Sequence, residues 1–479
     1  MTTQARGHVT EVEIQALDPA RLEPLIGLER MERFNARAAA AEKLLAGRRV
    51  FNVNSTAVGG GVAEMLQTLL AYARGAGIDT RWLVIDGDPE FFEITKRIHN
   101  GLYGGPGDGG QLDTAARQKY EAVMERNAGA VAERVRPGEF VILHDPQTAG
   151  LTQALQDAGA RVIWRCHVGH DSSNEWTERA WAFLRPYLES ADAFVFSRAN
   201  FAPAWVDADR IHLIPPSLDP FSAKNQPMSA RNVRPLLGYV GLLDGALEPP
   251  RVPFTRRDGT LGKVRRFADV LQNGPSPPAH APMVLQASRW DRVKDMTGVM
   301  MGFAEHVDPS LGAHLVLTGP AVYGVADDPE ASQVLVECMV AWAALPHESR
   351  NRIHLSCIPM ADPDEAAAIV NALQRHASIV VQKSLAEGFG LTVTEGMWKS
   401  RPIVASAVGG IVDQIADGEN GLLLDDPHDL AGFGAHVEQL LIDTELAQEL
   451  GRNGRQRVID EFLGDRHLGQ YGRLFEAIS

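Results

Sequence analysis

Two carboxylates and a glycine turn stand close together between Gln382 and Trp398, in the stretch QKSLAEGFGLTVTEGMW. Before it, Ala377-Ser-Ile-Val-Val381 is apolar and β-branched and predicts a buried strand. Glu387 and Glu395 bracket Gly388-Phe389-Gly390-Leu391, and a helix is predicted over 392–399, ended by Pro402. A strand, a glycine turn and a helix start together aim free backbone N–H groups at an anionic ligand. Glycine lets that backbone come close, because no Cβ intervenes. Carboxylates beside such a turn suit the hydroxyls of a sugar or ribose better than a phosphate. Were the intervening segment all helix, the two glutamate Cα atoms would lie about 12 Å apart. That is too far to act on one bond, but it suits a grip on two parts of a long ligand such as a sugar nucleotide.

Other positions offer complementary chemistry. Ser288-Arg-Trp-Asp-Arg-Val-Lys294 follows a predicted strand, and Arg289 and Lys294 are placed to neutralise a diphosphate, one as a planar fork and one as a point charge. Gly59-Gly60-Gly61 lies between a strand and an amphipathic helix, as a loop for close approach of ligand oxygens. It lacks the G-x-G-x-x-G spacing of a nicotinamide site. Arg165-Cys-His167 ends another strand, and His167 there could bond a sugar hydroxyl or stabilise charge. His144-Asp145-Pro146 ends a further strand, with His144 read as structural. His167, His170 and Asp171 match no firm metal-ligand spacing. Asp86-Gly-Asp88 and Asp207-Ala-Asp209 have the D-x-D form that holds a divalent cation, a form frequent by chance in an acidic chain. No metal is expected, since Arg289 and Lys294 supply the positive charge.

The elements that must position these groups alternate. Strands are predicted at 50–54, 82–85, 140–144, 161–166, 193–197 and 211–214, then at 283–288, 313–318, 352–357, 377–382, 402–406 and 421–424, with helices between. That alternation predicts an α/β fold of two doubly wound, Rossmann-like domains with parallel sheets covered on both faces. The ligand is expected in a cleft at their carboxyl strand ends. Residues 1–47 read as helical and polar. A mobile loop is expected around GGPGDGG at 104–110, and final helices at 444–461 and 466–478. The division expected is 1–218 for an N-terminal acceptor domain, 219–281 for a linker with an insertion, 282–460 for a nucleotide-sugar domain and 461–479 for a terminal helix crossing back. Arg256, Arg257, Lys263, Arg265 and Arg266 in the linker read as solvated surface.

Composition removes several function classes. The chain has 479 residues, 46 basic against 61 acidic, and a net charge of -15, which argues against nucleic-acid binding. Three scattered cysteines, Cys166, Cys338 and Cys357, form neither a disulfide framework nor a C-x-x-C site. The N-terminus MTTQARGHVTEVE lacks the apolar core of a signal peptide, and no apolar run approaches the roughly 20 residues of a membrane span. A cytoplasmic protein is expected, with a homodimer as the commonest default.

Glu387-x7-Glu395, Arg289 with Lys294, and VGGIVDQIADGENGLL at 408–423 together resemble the retaining glycosyltransferases of family 4. FNVNSTAVGGGVAEML at 51–66, WLVIDGDPEFFEITKRIHN at 82–100, HDPQT at 144–148, WRCH at 164–167, PSLDPFSAKN at 216–225 and EGFGLTVTEGMWKS at 387–400 resemble the glycosyltransferring trehalose synthases of that family. The resemblance covers most of residues 50–460. It implies a GT-B fold and a retaining transfer of glucose from a nucleoside-diphosphate glucose to free glucose, with no cofactor. It puts Arg289 and Lys294 on the donor diphosphate, Glu387 on hydroxyls of the moving sugar, and the amides of Gly388, Phe389, Gly390 and Leu391 on sugar and phosphate. Glu395 would hold the ribose, and backbone around Cys357-Ile358-Pro359 the base. Gly60, Gly61, Asp145 and His167 would serve the acceptor side, with His167 also at the transition state. The continuation Val168-Gly-His-Asp171 and the length of 228–281 depart from the family pattern, and the first departure bears on the acceptor.

Three rivals remain at the level of sequence. One is a retaining trehalose phosphorylase, or a transferase with another small acceptor. The others are a sugar-nucleotide-binding protein without turnover and a dehydrogenase, which the missing dinucleotide fingerprint disfavours. A retaining glycosidase would need two carboxyls at about 5 Å across the bond, and no such pair is nominated.

Overall fold

A computed structural model describes residues 9–57, 60–245, 253–322 and 330–479. Gly59 of the glycine run and part of the Pro-rich stretch at 246–252 lie outside the described residues. The chain forms two compact units. The first comprises residues 1–217, 387–389 and 462–479, and the second residues 218–386 and 390–461.

The first unit is built on a sheet of seven strands: β1 (Thr10–Val12), β2 (Val50–Asn54), β3 (Thr80–Val84), β4 (Phe140–His144), β5 (Arg161–Arg165), β6 (Ala193–Phe196) and β7 (Ile211–Leu213). Their order is β1-β3-β2-β4-β5-β6-β7, parallel except for β1, which pairs antiparallel with β3. Every residue of β2, β4 and β6 is buried, as strands covered on both faces require. Two asparagines interrupt the apolar run of β2, and both have partners: Asn54 Oδ1 accepts from Trp82 Nε1 at 2.8 Å, and Asn52 meets His144.

The second unit carries a hairpin of β8 (Phe254–Thr255) with β9 (Leu261–Gly262), then β10 (Asp269–Leu271), β11 (Met283–Ala287), β12 (His314–Pro320), β13 (Ile353–Ile358), β14 (Ile379–Gln382), β15 (Ile403–Ser406) and β16 (Leu422–Leu424). Its sheet runs β10-β13-β12-β11-β14-β15-β16, parallel except for the β10 edge.

The α/β class and the two Rossmann-like bodies are as the alternation of apolar runs predicts. Four details differ. Residues 1–47 contain β1 as well as helix. The helix Pro89–Leu102 precedes the glycine-rich loop, and that loop is held by Arg97, whose guanidinium bonds both carboxylate oxygens of Asp108 at 2.6 and 2.8 Å. Within the expected linker, β10 joins the second sheet. The basic cluster there is not simply solvated: Arg256 pairs with Asp362 at 2.8 and 2.6 Å, Arg257 with Asp364 at 2.8 Å, and Arg266 with the buried Glu365. These acids open the helix Pro363–His376, where negative charge also complements the helix dipole. Among the described residues, no helix is long and apolar enough to cross a membrane.

Candidate active site

In an open parallel sheet, ligands bind where neighbouring strands send their connections in opposite directions. In the second unit that point lies between β11 and β14. Arg289 and Lys294 follow β11, and the Glu387–Leu391 turn follows β14. The two loops are tied together. Leu385 N–H donates to Val293 O at 2.8 Å, Gln286 Nε2 donates to Lys294 O at 2.7 Å, and the buried Lys383 ammonium pairs with Asp295. Asp295 has φ 47°, a left-handed backbone that an aspartate tolerates at the cap of the helix Met296–His306. Lys383 and Asp295 were not picked from the sequence. A lysine directly after a buried apolar strand was the available signal.

The glycine turn is shaped by two distinct needs. Gly390 sits at φ 88°, ψ 58° as the cap of the helix Leu391–Trp398, a conformation that disfavours any side chain. The helix therefore starts only at Leu391, so the two glutamates are not on one continuous helix. Gly388 is needed for space: a Cβ there would lie 2.1 Å from the His167 carbonyl oxygen, within the first unit. Gln414, fully buried, anchors the turn from beyond β15, with Nε2 3.4 Å from Gly390 O and Oε1 accepting from Thr394 Oγ1 at 2.5 Å.

Glu387 and Glu395 are both 6% exposed. Lys224 Nζ lies 3.4 Å from Glu395 Oε1, and Gln374 Nε2 donates to Oε2 at 3.1 Å. A carboxylate oxygen can accept more than one hydrogen bond, so Glu395 can take a hydroxyl donor beside these two. Ile358 ends β13, and its carbonyl accepts from Ala321 N–H at 2.8 Å.

In the first unit the corresponding point lies between β2 and β4. Gly60 (φ 75°) and Gly61 open the helix after β2, His144 and Asp145 stand at the end of β4, and His167 follows the adjacent β5. His144 Nδ1 is 3.0 Å from His167 Nε2, with the rings 12° from parallel, and His144 Nε2 is 3.1 Å from Asn52 Oδ1. Arg165, fully buried, lies against this pair and donates to Tyr471 Oη and to Ile214 O, each at 2.9 Å. Burial, with the guanidinium beside it, pushes His144 down to about 3 and holds His167 well below the usual histidine range. His167 is therefore a neutral hydrogen-bonding group, and the positive charge at this site belongs to Arg165. Sequence reading placed His144 as structural; the fold joins it directly to His167.

Asp145 has φ 63°, and its Oδ1 accepts from the His167 amide at 2.8 Å. Removal from water pushes its carboxyl up to about 7, against the pull of the His167 amide and Arg165. An acid raised in this way costs stability as pH climbs from its unfolded value near ~4 to its folded value, because only the unfolded chain then releases the proton. Asp145→Asn keeps an accepting oxygen and removes that proton. Thermal denaturation across pH 4.5 to 8 is expected to show the variant gaining stability on wild type as pH rises, with the two curves converging at the acid end.

Asp88 of the first D-x-D caps the helix Pro89–Leu102 by accepting from Phe91 N–H at 3.1 Å, and pairs with Lys119 at 3.0 Å. Among the described residues no group of three or more His, Cys, Asp or Glu is arranged to hold a metal ion.

Comparison with known proteins decides the family. Residues 52–203 match the family model described as trehalose synthase, N-terminal domain, and residues 363–457 match glycosyl transferases group 1. A trehalose synthase of Rubrobacter xylanophilus is 34% identical over 433 residues, covering 90% of this chain and 91% of that protein. The chain belongs to the trehalose synthase family. A trehalose synthase of Thermococcus litoralis is 31% identical, covering 93% of this chain and 94% of that family member. Among solved structures, a sucrose-phosphate synthase from Thermosynechococcus elongatus superposes with a TM-score of 0.62 at 19% identity, covering 90% of this chain and all of that one (100%). The chain is thus a glycosyltransferase with the GT-B fold.

Proposed function

We propose that the protein moves glucose from a nucleoside-diphosphate glucose to free glucose with retention, giving trehalose in a reversible reaction. The observation that carries this reading is the β11/β14 loop pair, where Arg289 and Lys294 follow one strand, and Glu387 and the Gly388–Leu391 amides follow the parallel strand beside it. On it, Arg289 and Lys294 take the donor diphosphate, Glu387 the hydroxyls of the transferred glucose, Glu395 the ribose, and backbone near Ile358 the base. Gly60, Gly61, Asp145 and His167 serve the acceptor. The departing diphosphate takes the acceptor hydroxyl proton on the same face of the sugar. The chain then contributes positioning and fixed charge rather than a nucleophile. Two cationic side chains beside the diphosphate make a divalent metal unnecessary.

NMR product analysis tests this with a panel of nucleoside-diphosphate glucoses and glucose, with and without EDTA. The expected products are an α,α-1,1 disaccharide and nucleoside diphosphate at equal rates in both. Disaccharide formed only from glucose 1-phosphate would instead assign a phosphorylase, and hydrolysis of donor without disaccharide another acceptor.

A further inference from the structure

The glycine-rich loop that follows the helix Pro89–Leu102 walls a pocket that the proposed reaction does not use. The pocket has a volume of about 330 Å³ and lies within the first unit. Its other walls are the start of the helix Thr114–Ala132 and the helix Glu175–Leu188. Two of its three arginines are already occupied. Arg97 holds both oxygens of Asp108, and its Nη1 donates to Gln111 O at 2.8 Å. A Cβ at Gly110 would lie 2.2 Å from that guanidinium, so glycine lets the loop close tightly on it. Arg179 pairs with Glu175 at 3.1 Å and lies over the Trp176 ring, 4.8 Å from its centre. Arg117 differs. Its guanidinium lies 4.6 Å from the Phe183 ring centre and 5.5 Å from that of Tyr187, and its Nη1 donates to Tyr187 Oη at 2.9 Å. It has no carboxylate partner among the described residues, and its Nε and Nη2 have no acceptor there. Asp113 stands four residues earlier, yet the two form no ion pair. Asp113 Oδ1 caps the helix by accepting from Ala116 N–H at 3.0 Å, and its Oδ2 has no donor among the described residues. The Trp176 indole N–H likewise has no acceptor there. Arg117 and Trp176 are half-buried and Asp113 is exposed, so these groups are not sealed in the core.

Spare donors and a spare acceptor in one pocket fit a group that both accepts and donates. A hydroxyl does both. A phosphate offers acceptors to Arg117 but would stand against the negative charge of Asp113. The geometry points to a carbohydrate-binding site outside the proposed reaction, taking a small neutral sugar on Arg117, Asp113 and the Trp176 indole N–H. The aromatic walls of Trp176 and Phe183 suit the C–H groups of a sugar ring. A volume of about 330 Å³ is near the lower end for small-molecule sites, which suits one or two sugar rings. None of these residues belongs to the set proposed for the acceptor, and binding here requires no turnover.

The test uses the whole chain labelled with 15N-tryptophan, with no nucleotide sugar present. The chain has 8 tryptophans, and Trp176→Phe assigns one indole N–H signal by its loss. Titration with glucose or with an α,α-1,1 disaccharide is expected to shift the Trp176 signal to saturation. Inorganic phosphate is expected to leave it in place. No shift with either sugar would overturn the site, and a shift with phosphate would overturn its neutral-ligand chemistry. Arg117→Met keeps the length of the side chain and removes its donors. It is expected to weaken sugar binding about tenfold, the scale of one lost hydrogen bond to a charged group. Asp113→Asn, which keeps an oxygen to cap the helix, is expected to weaken it by a similar factor. The remaining indole signals show whether each variant is folded. Undiminished affinity in either folded variant would overturn the assignment. Turnover enters none of these readings, so each stands whatever reaction the enzyme performs.

Discussion

Lys294→Ala is expected to reduce kcat by about 10²–10³, the range found when one fixed group facing developing charge is removed. Lys294 ends the short turn Arg292–Lys294 between β11 and the helix Met296–His306. The backbone at this position has anchors of its own. It is held by Gln286 on the Lys294 carbonyl, by Leu385 on Val293 O, and by the Lys383–Asp295 pair next to it. The variant removes the charge and keeps these anchors. Because the diphosphate gains charge as the glycosidic bond breaks, the loss falls on kcat, whereas KM for the acceptor stays within about a factor of two to three. Steady-state kinetics in both substrates check this. Near-normal turnover in a folded Lys294→Ala protein would refute the diphosphate role.

Gly388→Ala is expected to cost about 10² in kcat/KM from a single methyl group, the size of effect attributed to a displacement of roughly 1 Å at a reacting centre. The added Cβ would stand 2.1 Å from the carbonyl oxygen of His167. A backbone atom cannot swing aside as a side chain would, so either the turn or the His167 segment must shift. The turn is confined on one side by buried Glu387 and on the other by Gly390, whose left-handed backbone caps a helix. The His167 segment is confined by its amide bond to Asp145. A stability change of about 1–3 kcal/mol is expected alongside, as for other overpacked positions. Urea unfolding separates the two effects. Full activity in Gly388→Ala would show that the close approach has no part in catalysis.

Much of the fold was legible because its strands are written as continuous apolar runs. Phe140-Val-Ile-Leu and Ile379-Val-Val are buried on both faces and admit no other reading. The edges were not. β1 and β10 are short and partly exposed, and each gains strand character only from its partner, β3 or β13. The residues proposed for the donor side could be picked out because a glycine turn and a spaced cation pair are local patterns. What escaped were pairings between distant parts of the chain. Lys383 with Asp295, Gln374 and Lys224 with Glu395, and Tyr471 with Arg165 become visible only once the sheets bring them together. Asn52 could have been noticed, since an asparagine inside a fully buried strand must find a partner. Nothing nearby in the sequence names His144 as that partner.

The passage of residues 462–479 into the first unit has a consequence for biosynthesis. Domains usually acquire their structure in the order in which the ribosome delivers them. Here the second unit, drawn from residues 218–386 and 390–461, is available in full before the first one is. Until the helix Gly464–Ala477 emerges, the buried Arg165 lacks Tyr471, and Ser217 lacks His467, whose Nδ1 it meets at 2.8 Å. The nascent N-terminal sheet must therefore wait, without the cover that Tyr471, Leu474 and Phe475 give to Val50, Phe140 and Ile163, while the later half of the chain folds. Its exposure to chaperones and proteases is set by the translation time of everything in between.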